Sequence, residues 1–374
     1  MSFSERVLKN TERALYRLRD LYQSYGYARY KVSKFEEYDL YAHNKSFLVS
    51  ERILSFTDTD GRLMALKPDV TLSIVKNVGD GELSTHKLYY NETVYRTSAD
   101  SEGFREIMQT GLECIGRIDL YAMGEVLMLA QKSLALISDD YILDVSHMGF
   151  LSGLLEEMGV EGADAEKLLG YIGNKNTPAI LSFCQARGIG EDTAKQICNV
   201  TDLYAPLPEA LAQVKSIVKG EAMTTAYEQL CSVAELLTAY GCSERVYLDF
   251  SIVNDMNYYN GIIFRGFVNG IPDGVLSGGR YDSLIRKMGK QGEAIGFAVY
   301  LDQLERYGVE ESQYDTDAFL VYDEGVDPAA VVRAVDELRQ SHDRVLAQCG
   351  DAGKIRYRKL YRITKGGLTC EAND

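Results

Sequence analysis

The stretch HKLYYNETVYRTSADSEGFREIMQTGLECIG, residues 86–116, says most about the fold of this chain. Its first part, HKLYYNETVYR, is rich in aromatic and β-branched residues and predicts a strand. The polar segment TSADSEGF predicts a loop, and REIMQTGLECIG predicts a strand that returns along the first. The sequence therefore predicts an antiparallel pair of strands joined by a polar loop.

The returning strand carries an uncommon set of side chains on one face. Successive side chains of a strand point to opposite faces, so Gln109, Gly111 and Glu113 share one face. A glycine between two polar residues would let a ligand approach the backbone there. A solvated sheet face with a bulge at the glycine explains the same pattern. For this strand taken alone, that second interpretation is the simpler one.

The remaining sequence predicts an α+β fold, with a mainly antiparallel sheet and flanking helices. Helical periodicity is clear in residues 4–25 and in LYAMGEVLMLAQKSLALI, and SERILSFTDTDGRLMALK predicts a hairpin. A long, almost wholly helical stretch interrupts the strands. We therefore predict a core over residues 1–306 with a helical insertion at about 150–241, a linker at 307–316, and a small α/β module at 317–374.

Four shorter segments lead to local predictions. Asn260-Gly261 separates two β-prone runs and predicts a hairpin turn. LSGGRYDSL, residues 276–284, predicts a tight glycine turn into a helix. AIGFAVYLDQLERYG, residues 294–308, predicts an apolar strand that leads into a further helix, with core packing as its plain interpretation, and YARYKVSKFEEYDLY, residues 27–41, predicts extended chain.

Composition and charge narrow the class of protein. Over 374 residues, 46% hydrophobic and 25% charged residues are typical of a globular protein with a full core. The formal net charge of -15 disfavours broad electrostatic capture of nucleic acid, which requires a basic face. The charged start is unlike a signal peptide, and no apolar run approaches the about 18 residues of a membrane span. We therefore expect a cytoplasmic protein that binds no membrane.

The cysteines and histidines indicate neither disulfides nor a metal site. Seven cysteines are scattered, and no C-x-x-C pair occurs. This pattern is typical of reduced thiols in a cytosolic protein. The four histidines lie far apart and lack metal-ligand spacing. We therefore expect no metal and no other cofactor.

Polar and aromatic residues from three segments could form one pocket. In LKPDVTLS, Asp69 and Thr71 lie where a strand meets a helix, and helix capping is their plain interpretation. Combined with the face of the returning strand and the tyrosines of NDMNYYNGIIF, they would make an acid-lined pocket with aromatic walls. Such a pocket suits an amino group or a basic ring. The candidate residues are Asp69, Thr71, Gln109, Glu113, Tyr258 and Tyr259.

Three basic residues near these segments have two interpretations each. Arg96 ends a strand before the polar loop, and Arg105 begins the next strand. A guanidinium at such a position can clamp a carboxylate or phosphate with two hydrogen bonds. Edge-strand surface charges explain the same positions, and Lys67 is open to the same two interpretations.

Taken together, these segments resemble the catalytic core of the class II histidyl-tRNA synthetases over roughly residues 5–306. LKPDVT resembles the family's LRPEGT, VYRTSADSEGFREIMQTGLECIG resembles its second signature motif, and NDMNYYNGIIF resembles its RGLDYYNRTVFE. GGRYDSL matches unchanged, and AIGFAVYLDQL resembles the third motif, AVGFAMGLERL. Since the motifs keep the family's order, the resemblance implies the class II aminoacyl-tRNA synthetase fold.

The sequence departs from this family where the family carries out adenylation. The arginine that contacts the histidine carboxylate and the α-phosphate is replaced by Asn254, and the third motif's arginine is replaced by Gln303. A glycine of the third motif becomes Tyr300, whose bulk would occupy nucleotide space. Arg96 is kept, but the glutamate two residues further on becomes Ser98. Losing one preorganised donor commonly costs about 10²–10³ in rate, so we expect no catalytic residues.

The histidine-recognition positions of the family are better kept. By this resemblance, Asp69 replaces the glutamate that meets the ligand's α-amino group, and Thr71, Gln109 and Glu113 occupy matching positions. The two tyrosines match those that close over the imidazole, and Arg96 is a candidate for the carboxylate. The resemblance thus implies a pocket for L-histidine without the adenylation residues.

A synthetase-like histidine binder without synthesis resembles the regulatory subunits of ATP phosphoribosyltransferase. That resemblance implies a homodimeric core that joins the short-form catalytic subunit, which performs the first step of histidine biosynthesis. It also implies feedback inhibition, with L-histidine as the allosteric ligand.

Two other functions are compatible with parts of the sequence. A divergent histidyl-tRNA synthetase would keep the fold, although Asn254, Gln303 and the short tail argue against it. A non-catalytic tRNA-binding module would use the basic segment KIRYRKLYR, residues 354–362. On a chain with this net charge we expect nucleic acid not to be the partner.

Overall fold

In the computed structural model, the predicted strand pair lies inside a nine-stranded sheet. The structure describes residues 8–48, 52–78, 85–97, 103–253, 258–305, 307, 313–351, 353–364 and 367–373. The chain divides into two compact units, Met1–Tyr307 and Gly308–Asp374.

The elements of the first unit alternate between strands and helices. Its strands are β1 (Ala28–Arg29), β2 (Phe35–Glu37), β3 (Ser55–Thr57), β4 (Leu63–Leu66), β5 (His86–Thr97), β6 (Phe104–Gly116), β7 (Tyr141–His147), β8 (Ala205–Pro206), β9 (Val246–Leu248), β10 (Ile262–Val268), β11 (Leu276–Arg280) and β12 (Glu293–Tyr300). Its helices are α1 (Asn10–Ser24), α2 (Tyr38–Ala42), α3 (Thr71–Asn77), α4 (Leu120–Ile137), α5 (Met148–Glu157), α6 (Ala163–Gly173), α7 (Thr177–Ala186), α8 (Glu191–Asp202), α9 (Leu207–Val214), α10 (Gly220–Ala239) and α11 (Asp282–Lys287).

The large sheet has the strand order β1-β5-β6-β12-β11-β10-β7-β9-β8. Only the β1–β5 and β7–β9 pairs are parallel, so the sheet is mainly antiparallel, as the sequence predicts. Strands β5 and β6 pair without a break from His86 opposite Ile115 to Thr97 opposite Phe104. The predicted antiparallel pair is therefore confirmed. This register places Gly111 opposite Tyr90 and Glu113 opposite Leu88.

A separate, three-stranded sheet has the strand order β2-β4-β3. It contains the hairpin predicted in residues 50–67, with Ser55 opposite Ala65. The turn is closed by Asp58, whose Oδ1 accepts hydrogen bonds from the backbone N–H groups of Asp60 and Arg62, at 2.9 and 2.8 Å. Tyr38–Ala42 is the helix α2, which corrects the prediction of extended chain there.

Helix α4 packs behind the large sheet, where it contacts α1, α10 and strands β7, β10 and β12. Within the described residues it is the one helix long and apolar enough to cross a membrane, and two-thirds of it is buried in the protein. This corrects the sequence-based statement that no apolar run has such a length. Its apolar side chains are enclosed by neighbouring elements, as in the core helix of a globular protein.

Helices α5 to α10 follow β7 and end before β9, close to the limits predicted for the insertion. Helix α5 is capped by His147, whose Nδ1 accepts a hydrogen bond from the backbone N–H of Gly149 at 3.1 Å. Its Nε2 lies 3.0 Å from Gln229 Oε1 and must therefore donate. Burial lowers the pKa of His147 to about 4, so this histidine is a neutral helix cap.

Three local predictions are wrong in the same region of the sheet. Asn260-Gly261 leads directly into β10 and turns no hairpin. Residues 276–280 form strand β11 and contain the two adjacent glycines inside a ladder. Residues 293–300 form strand β12, followed by one 3-10 turn at Leu301–Leu304, where we predicted a helix. Pairing with neighbouring strands determines the structure of these three segments, and the local sequence does not encode that pairing.

The second unit contains a four-stranded sheet of order β14-β13-β15-β16 with one helix. Its elements are β13 (Thr316–Tyr322), α12 (Pro328–Leu338), β14 (Val345–Cys349), β15 (Tyr357–Thr364) and β16 (Gly367–Asn373). The basic segment 354–362 is largely strand β15. Two of its three arginines face carboxylates: Arg356 contacts Asp315 at 2.8 Å, and Arg362 contacts Glu371 at 2.7 Å.

Candidate functional site

A cavity of about 160 Å³ opens on the sheet face that carries Gln109 and Glu113. One water requires only about 10–15 Å³ by this measure, so the cavity has room for a small organic ligand. All seven residues proposed from the sequence line it. The lining consists of Phe47, Leu48, Asp69, Val70, Thr71, Tyr90, Arg96, Gln109, Glu113, Tyr258, Tyr259, Ser277, Tyr281, Gly296, Phe297, Ala298 and Tyr300.

Glycines on the sheet make room for three of the side chains that shape this cavity. A Cβ at Gly111 would lie 2.6 Å from the hydroxyl of its cross-strand partner, Tyr90. A Cβ at Gly279 would lie 2.7 Å from the ring of Tyr259. The expectation that Gly111 admits a ligand to the backbone is therefore wrong. The ring of Tyr90 occupies that space and becomes part of the cavity wall.

Gly296 likewise makes room for a side chain of the cavity, here the carboxylate of Glu113. It lies directly opposite Glu113 in the β6–β12 ladder. A Cβ at position 296 would overlap Glu113 Oε2 and lie 2.5 Å from the Leu112 carbonyl oxygen. The carboxylate can lie across β12 only because residue 296 has no side chain. The sequence signal was a glycine inside an apolar strand, in a segment that we interpreted as core packing.

Two hydroxyl groups hold the Glu113 carboxylate. Thr71 donates to Oε1 at 2.7 Å, and the hydroxyl of Tyr281 donates to Oε2. Burial raises the pKa of Glu113 to about 8, although the hydrogen bonds from Tyr281 and Thr71 oppose the shift and the charge of Asp69 adds to it. Glu113 is therefore a buried acceptor whose charge is costly until a cationic or N–H group meets it.

The pKa of Glu113 predicts how stability depends on pH. The folded chain holds a proton that the unfolded chain releases from about pH 4.5 to about pH 8. Stability from this group is therefore complete at low pH and lost as the pH rises through about 8, with a slope of at most about 1.4 kcal/mol per pH unit. We expect the denaturant midpoint of the ligand-free chain to fall more from pH 5.5 to 7.5 than that of Glu113→Gln. Parallel slopes for the two proteins would contradict a buried, protonated Glu113.

Asp69 and Arg96 form a second polar group of the cavity. Asp69 Oδ1 accepts a hydrogen bond from Leu72 N–H at 2.8 Å, in the first turn of α3. The guanidinium of Arg96 lies 3.8 Å from Asp69 Oδ2, and its Nε donates to the Pro68 carbonyl at 2.8 Å. Burial raises the pKa of Asp69, and the nearby charge of Arg96 opposes the shift. Asp69 thus caps helix α3 and also lines the cavity, so helix capping and a place in the pocket are both correct interpretations of this residue.

Aromatic rings make one wall of the cavity. Tyr258 and Tyr259 meet edge to face with ring centroids 4.4 Å apart. Tyr258 also lies 6.0 Å from the ring of Tyr281 and 5.7 Å from that of Phe47. Burial raises the pKa values of these three tyrosines well above the ordinary range, so their hydroxyls are protonated. The wall can contact a planar ring and donate hydrogen bonds to it.

The lining of the cavity also contains an unused donor. Gln109 is 2% exposed, and its Nε2 has no hydrogen-bond partner among the residues described. Tyr300 is its cross-strand neighbour on β12 and also lines the cavity. A buried amide without a partner is costly, so Gln109 is a ready donor for a ligand oxygen.

Other residues singled out in the sequence lie elsewhere. Lys67 is buried, and its ammonium pairs with Glu92, outside the cavity. Arg105 is exposed and does not line the cavity, and Gln303 lies in the 3-10 turn after β12. The remaining two, Asn254 and Ser98, lie outside the described residues.

The sequence did not identify several lining residues, chief among them Tyr281, Tyr90 and Phe47. Tyr281 lies in GGRYDSL, where we considered only the glycines. Its hydroxyl reaches Glu113 because β12 pairs with both β11 and β6, and β6 comes from a distant part of the chain. No metal-ligating group of three or more His, Cys, Asp or Glu residues occurs in the part of the chain that the structure describes.

Comparison of the sequence with known proteins matches residues 3–304 to the family model for histidyl-tRNA synthetase. The ATP phosphoribosyltransferase regulatory subunit of Clostridium kluyveri is 31% identical over 296 residues, 76% of this chain and 74% of the relative. The protein of the same name from Clostridium acetobutylicum is 27% identical over 352 residues, 91% of this chain and 86% of the relative.

Solved structures of similar proteins share the fold. An ATP phosphoribosyltransferase regulatory subunit/histidyl-tRNA synthetase from Bacillus halodurans superposes with a TM-score of 0.75 at 22% identity, covering 94% of this chain and 93% of that one. A chain of the ATP phosphoribosyl transferase (HisG:HisZ) complex from Thermotoga maritima superposes with a TM-score of 0.61 at 20% identity, covering 77% and 96%. The predicted synthetase-like α+β fold is confirmed.

Proposed function

Since this chain belongs to the histidyl-tRNA synthetase family and, within it, to the ATP phosphoribosyltransferase regulatory subunits, we propose that it is a non-catalytic regulatory subunit that binds L-histidine. It would be needed by the short-form catalytic subunit for the first step of histidine biosynthesis, and histidine would inhibit that step through it. The observation that carries the ligand assignment is the buried Glu113, held by Thr71 and Tyr281 beside an aromatic wall.

The chemistry of the cavity is complementary to each part of histidine. An imidazole N–H would donate to Glu113, and the ring would lie against Tyr258 and Tyr259. The α-amino group would meet the Asp69 carboxylate. The carboxylate would take the free amide of Gln109 and the guanidinium of Arg96, which supports the possible role given to that arginine. Contacts with charged groups contribute about 1.5–3 kcal/mol each, so a few of them account for micromolar binding.

The absence of synthesis is part of the same proposal. Tyr300 lines the cavity beside Gln109, where its ring takes up space next to the ligand. In the motifs that resemble those of the synthetases, the family's arginines are replaced by Gln303 and Asn254. Adenylation depends on cations placed against developing charge, and of the three family arginines compared at positions 96, 254 and 303, only Arg96 is kept.

The partners follow from the relatives. A chain of similar fold occurs in a solved ATP phosphoribosyl transferase complex, which supports association with the catalytic subunit. We propose in addition that the core forms a homodimer and that the assembly is cytoplasmic. The guanidinium groups of Arg356 and Arg362 are paired with carboxylates, which weighs against tRNA as the partner of segment 354–362.

The test is phosphoribosyl transfer from phosphoribosyl pyrophosphate to ATP by the short catalytic subunit of the same organism. It would be measured alone, with this chain, and with this chain plus L-histidine. Activation that histidine suppresses supports both the partner and the sensor. A chain without effect contradicts the proposal, and histidine-dependent ATP–pyrophosphate exchange would then establish the synthetase alternative.

Replacement of the two carboxylates should weaken histidine binding. We expect Glu113→Ala and Asp69→Ala each to raise the dissociation constant for histidine by roughly 10–150-fold, since each removes one charge-assisted contact. Isothermal titration calorimetry measures this dissociation constant. Because Asp69 also caps α3, Asp69→Asn separates the charge from the cap. The matched control is Asp119→Asn, since Asp119 caps α4 in the same way, accepting from Ala122 N–H at 2.9 Å. Unchanged affinity in both alanine variants would place the ligand elsewhere.

A further inference from the structure

Behind the aromatic wall, an asparagine–aspartate pair joins two segments that each carry a cavity tyrosine. Asn260 follows Tyr259, and Asp282 follows Tyr281. The side-chain amide of Asn260 donates to Asp282 Oδ2 at 3.1 Å, and the backbone N–H of Asp282 donates to Asn260 Oδ1 at 2.9 Å. Neither member of the pair lines the cavity.

The buried carboxylate of Asp282 accepts hydrogen bonds from several donors. Its Oδ2 also accepts from Arg280 Nε at 2.8 Å, and its Oδ1 accepts from the backbone N–H of Ala294 at 3.0 Å. Ala294 lies on β12, two residues before Gly296. A buried carboxylate with this many donors is held in one position. Asp282 therefore connects the loop that carries Tyr259 to the strand that lies under Glu113.

A second set of contacts holds the same loop against β11. The backbone N–H of Asn260 donates to the Arg280 carbonyl at 3.2 Å. The stem of Arg280 lies so close to Gly261 that a Cβ there would be 3.2 Å from Arg280 Cβ. The guanidinium of Arg280 also pairs with Glu293, which in turn accepts from the Ile118 backbone N–H at 2.9 Å.

We propose that Asn260 and Asp282 are positioning residues that set the affinity of the cavity for its ligand, without touching it. The pair fixes the ring of Tyr259 over Gly279 and, through the adjoining Tyr281, the hydroxyl that donates to Glu113. The inference rests on the proposed function in that histidine is the ligand. It adds that the aromatic wall is held in place by one reciprocal amide–carboxylate contact.

The chemistry of the pair permits a test by exchange. Asn260→Asp places two carboxylates against each other, and Asp282→Asn turns a second amide N–H toward the amide of Asn260. Either change breaks the Nδ2–Oδ2 contact. The double variant Asn260→Asp/Asp282→Asn restores one donor opposite one acceptor. It leaves the acceptors for the N–H groups of residues 282 and 294 in place, whereas the oxygen that accepts from Arg280 Nε is lost in the double variant as it is in Asp282→Asn.

The same strand provides a matched control. At the far end of β10, Asn269 donates through Nδ2 to Asp140 Oδ2 at 2.8 Å and through its backbone N–H to the Asp140 carbonyl at 3.0 Å. This exposed pair has the same chemistry and does not line the cavity. Asn269→Asp, Asp140→Asn and their double variant should bind histidine as the unmodified chain does.

Two measurements on the full chain decide the proposal. Calorimetric titration with L-histidine should show each single exchange at positions 260 and 282 weakening affinity by about 10-fold or more. The double variant should bind at least about 3-fold more tightly than Asp282→Asn, which lacks the same Arg280 contact and differs from it only in the restored pair. A purely structural role would lower the folded fraction and leave the affinity of folded protein unchanged. Unmodified affinity in both single variants, or a double variant that binds no more tightly than Asp282→Asn, would overturn the proposal.

Hydrogen exchange of the ligand-free chain keeps this test independent of the ligand. Amides of residues 258–262 and 280–285 should exchange faster in each single variant and slow again in the double variant. If the unmodified chain binds no histidine, the proposed function fails by itself. The positioning role of Asn260 and Asp282 is then tested by hydrogen exchange alone. Unchanged protection of these amides in the single variants would refute it.

Discussion

Replacing Gly296 with alanine is expected to abolish histidine binding, with a loss of affinity of at least about 100-fold. The added methyl group would overlap Glu113 Oε2 and lie 2.7 Å from Glu113 Cδ. Either the carboxylate leaves its hydrogen bonds with Thr71 and Tyr281, or β12 moves away from β6. Both outcomes remove the acceptor that we assign to the imidazole. The measurement is calorimetric titration with L-histidine.

Two further variants separate this steric effect from unfolding. Overpacking costs typically about 1–3 kcal/mol, so near-ultraviolet circular dichroism must first show that Gly296→Ala is folded. Glu113→Asp in that background shortens the side chain and should recover stability without recovering affinity. Gly103→Ala is the control, since a Cβ there meets no atom within 4 Å. Ordinary affinity in folded Gly296→Ala would show that Glu113 does not contact the ligand.

Removing Glu92 is expected to cause the largest loss of stability, about 3–5 kcal/mol in free energy of unfolding. The Lys67 side chain is 1% exposed and that of Glu92 is 13% exposed. Glu92 pairs with the Lys67 ammonium and accepts from Val32 N–H at 3.1 Å. Glu92→Ala leaves a buried cation without its counter-charge. Urea denaturation followed by circular dichroism measures the loss.

The pH dependence of this defect has a definite sign. Burial lowers the pKa of Lys67, and its hydrogen bond with Glu92 opposes the shift. Without Glu92 the pKa falls further, so the folded state binds fewer protons and stability rises with pH. The defect should therefore be smaller at pH 9 than at pH 6. Lys195→Ala is the control, because the exposed pair of Lys195 and Glu191 should contribute nothing measurable. An equally small effect of Glu92→Ala would contradict the buried pair.

Four features were accessible from sequence because their signals can be read along the chain without the structure. Alternating strand patterns on both sides of a polar loop predicted β5 and β6, and the turn residues predicted the hairpin of the small sheet. Motif order predicted the synthetase-like fold. The placement of Gln109 and Glu113 on one strand face followed from the two-residue period alone.

The predictions for Gly111, for β11 and for a helix after β12 failed because their causes are not local. Each glycine is explained by a side chain that reaches it from a neighbouring strand, as Tyr90 does at Gly111 and Glu113 at Gly296. Lys67 had been a candidate for a clamp. It is instead bound by Glu92, 25 residues further along the chain.

The linear pattern of residues was sufficient to predict the kind of fold, the central strand pair and the polar residues that one face of that pair presents. The contacts that those residues make depend on how distant strands pair. Register across the four strands β6, β12, β11 and β10 brings Tyr281, Tyr259 and Gly296 to Glu113, and it places Asn260 against Asp282 behind them. A strand's own residues specify which face each side chain takes. The residue lying opposite is set by pairing between different segments, some of them as far apart in the chain as Glu113 and Gly296, which no local pattern encodes.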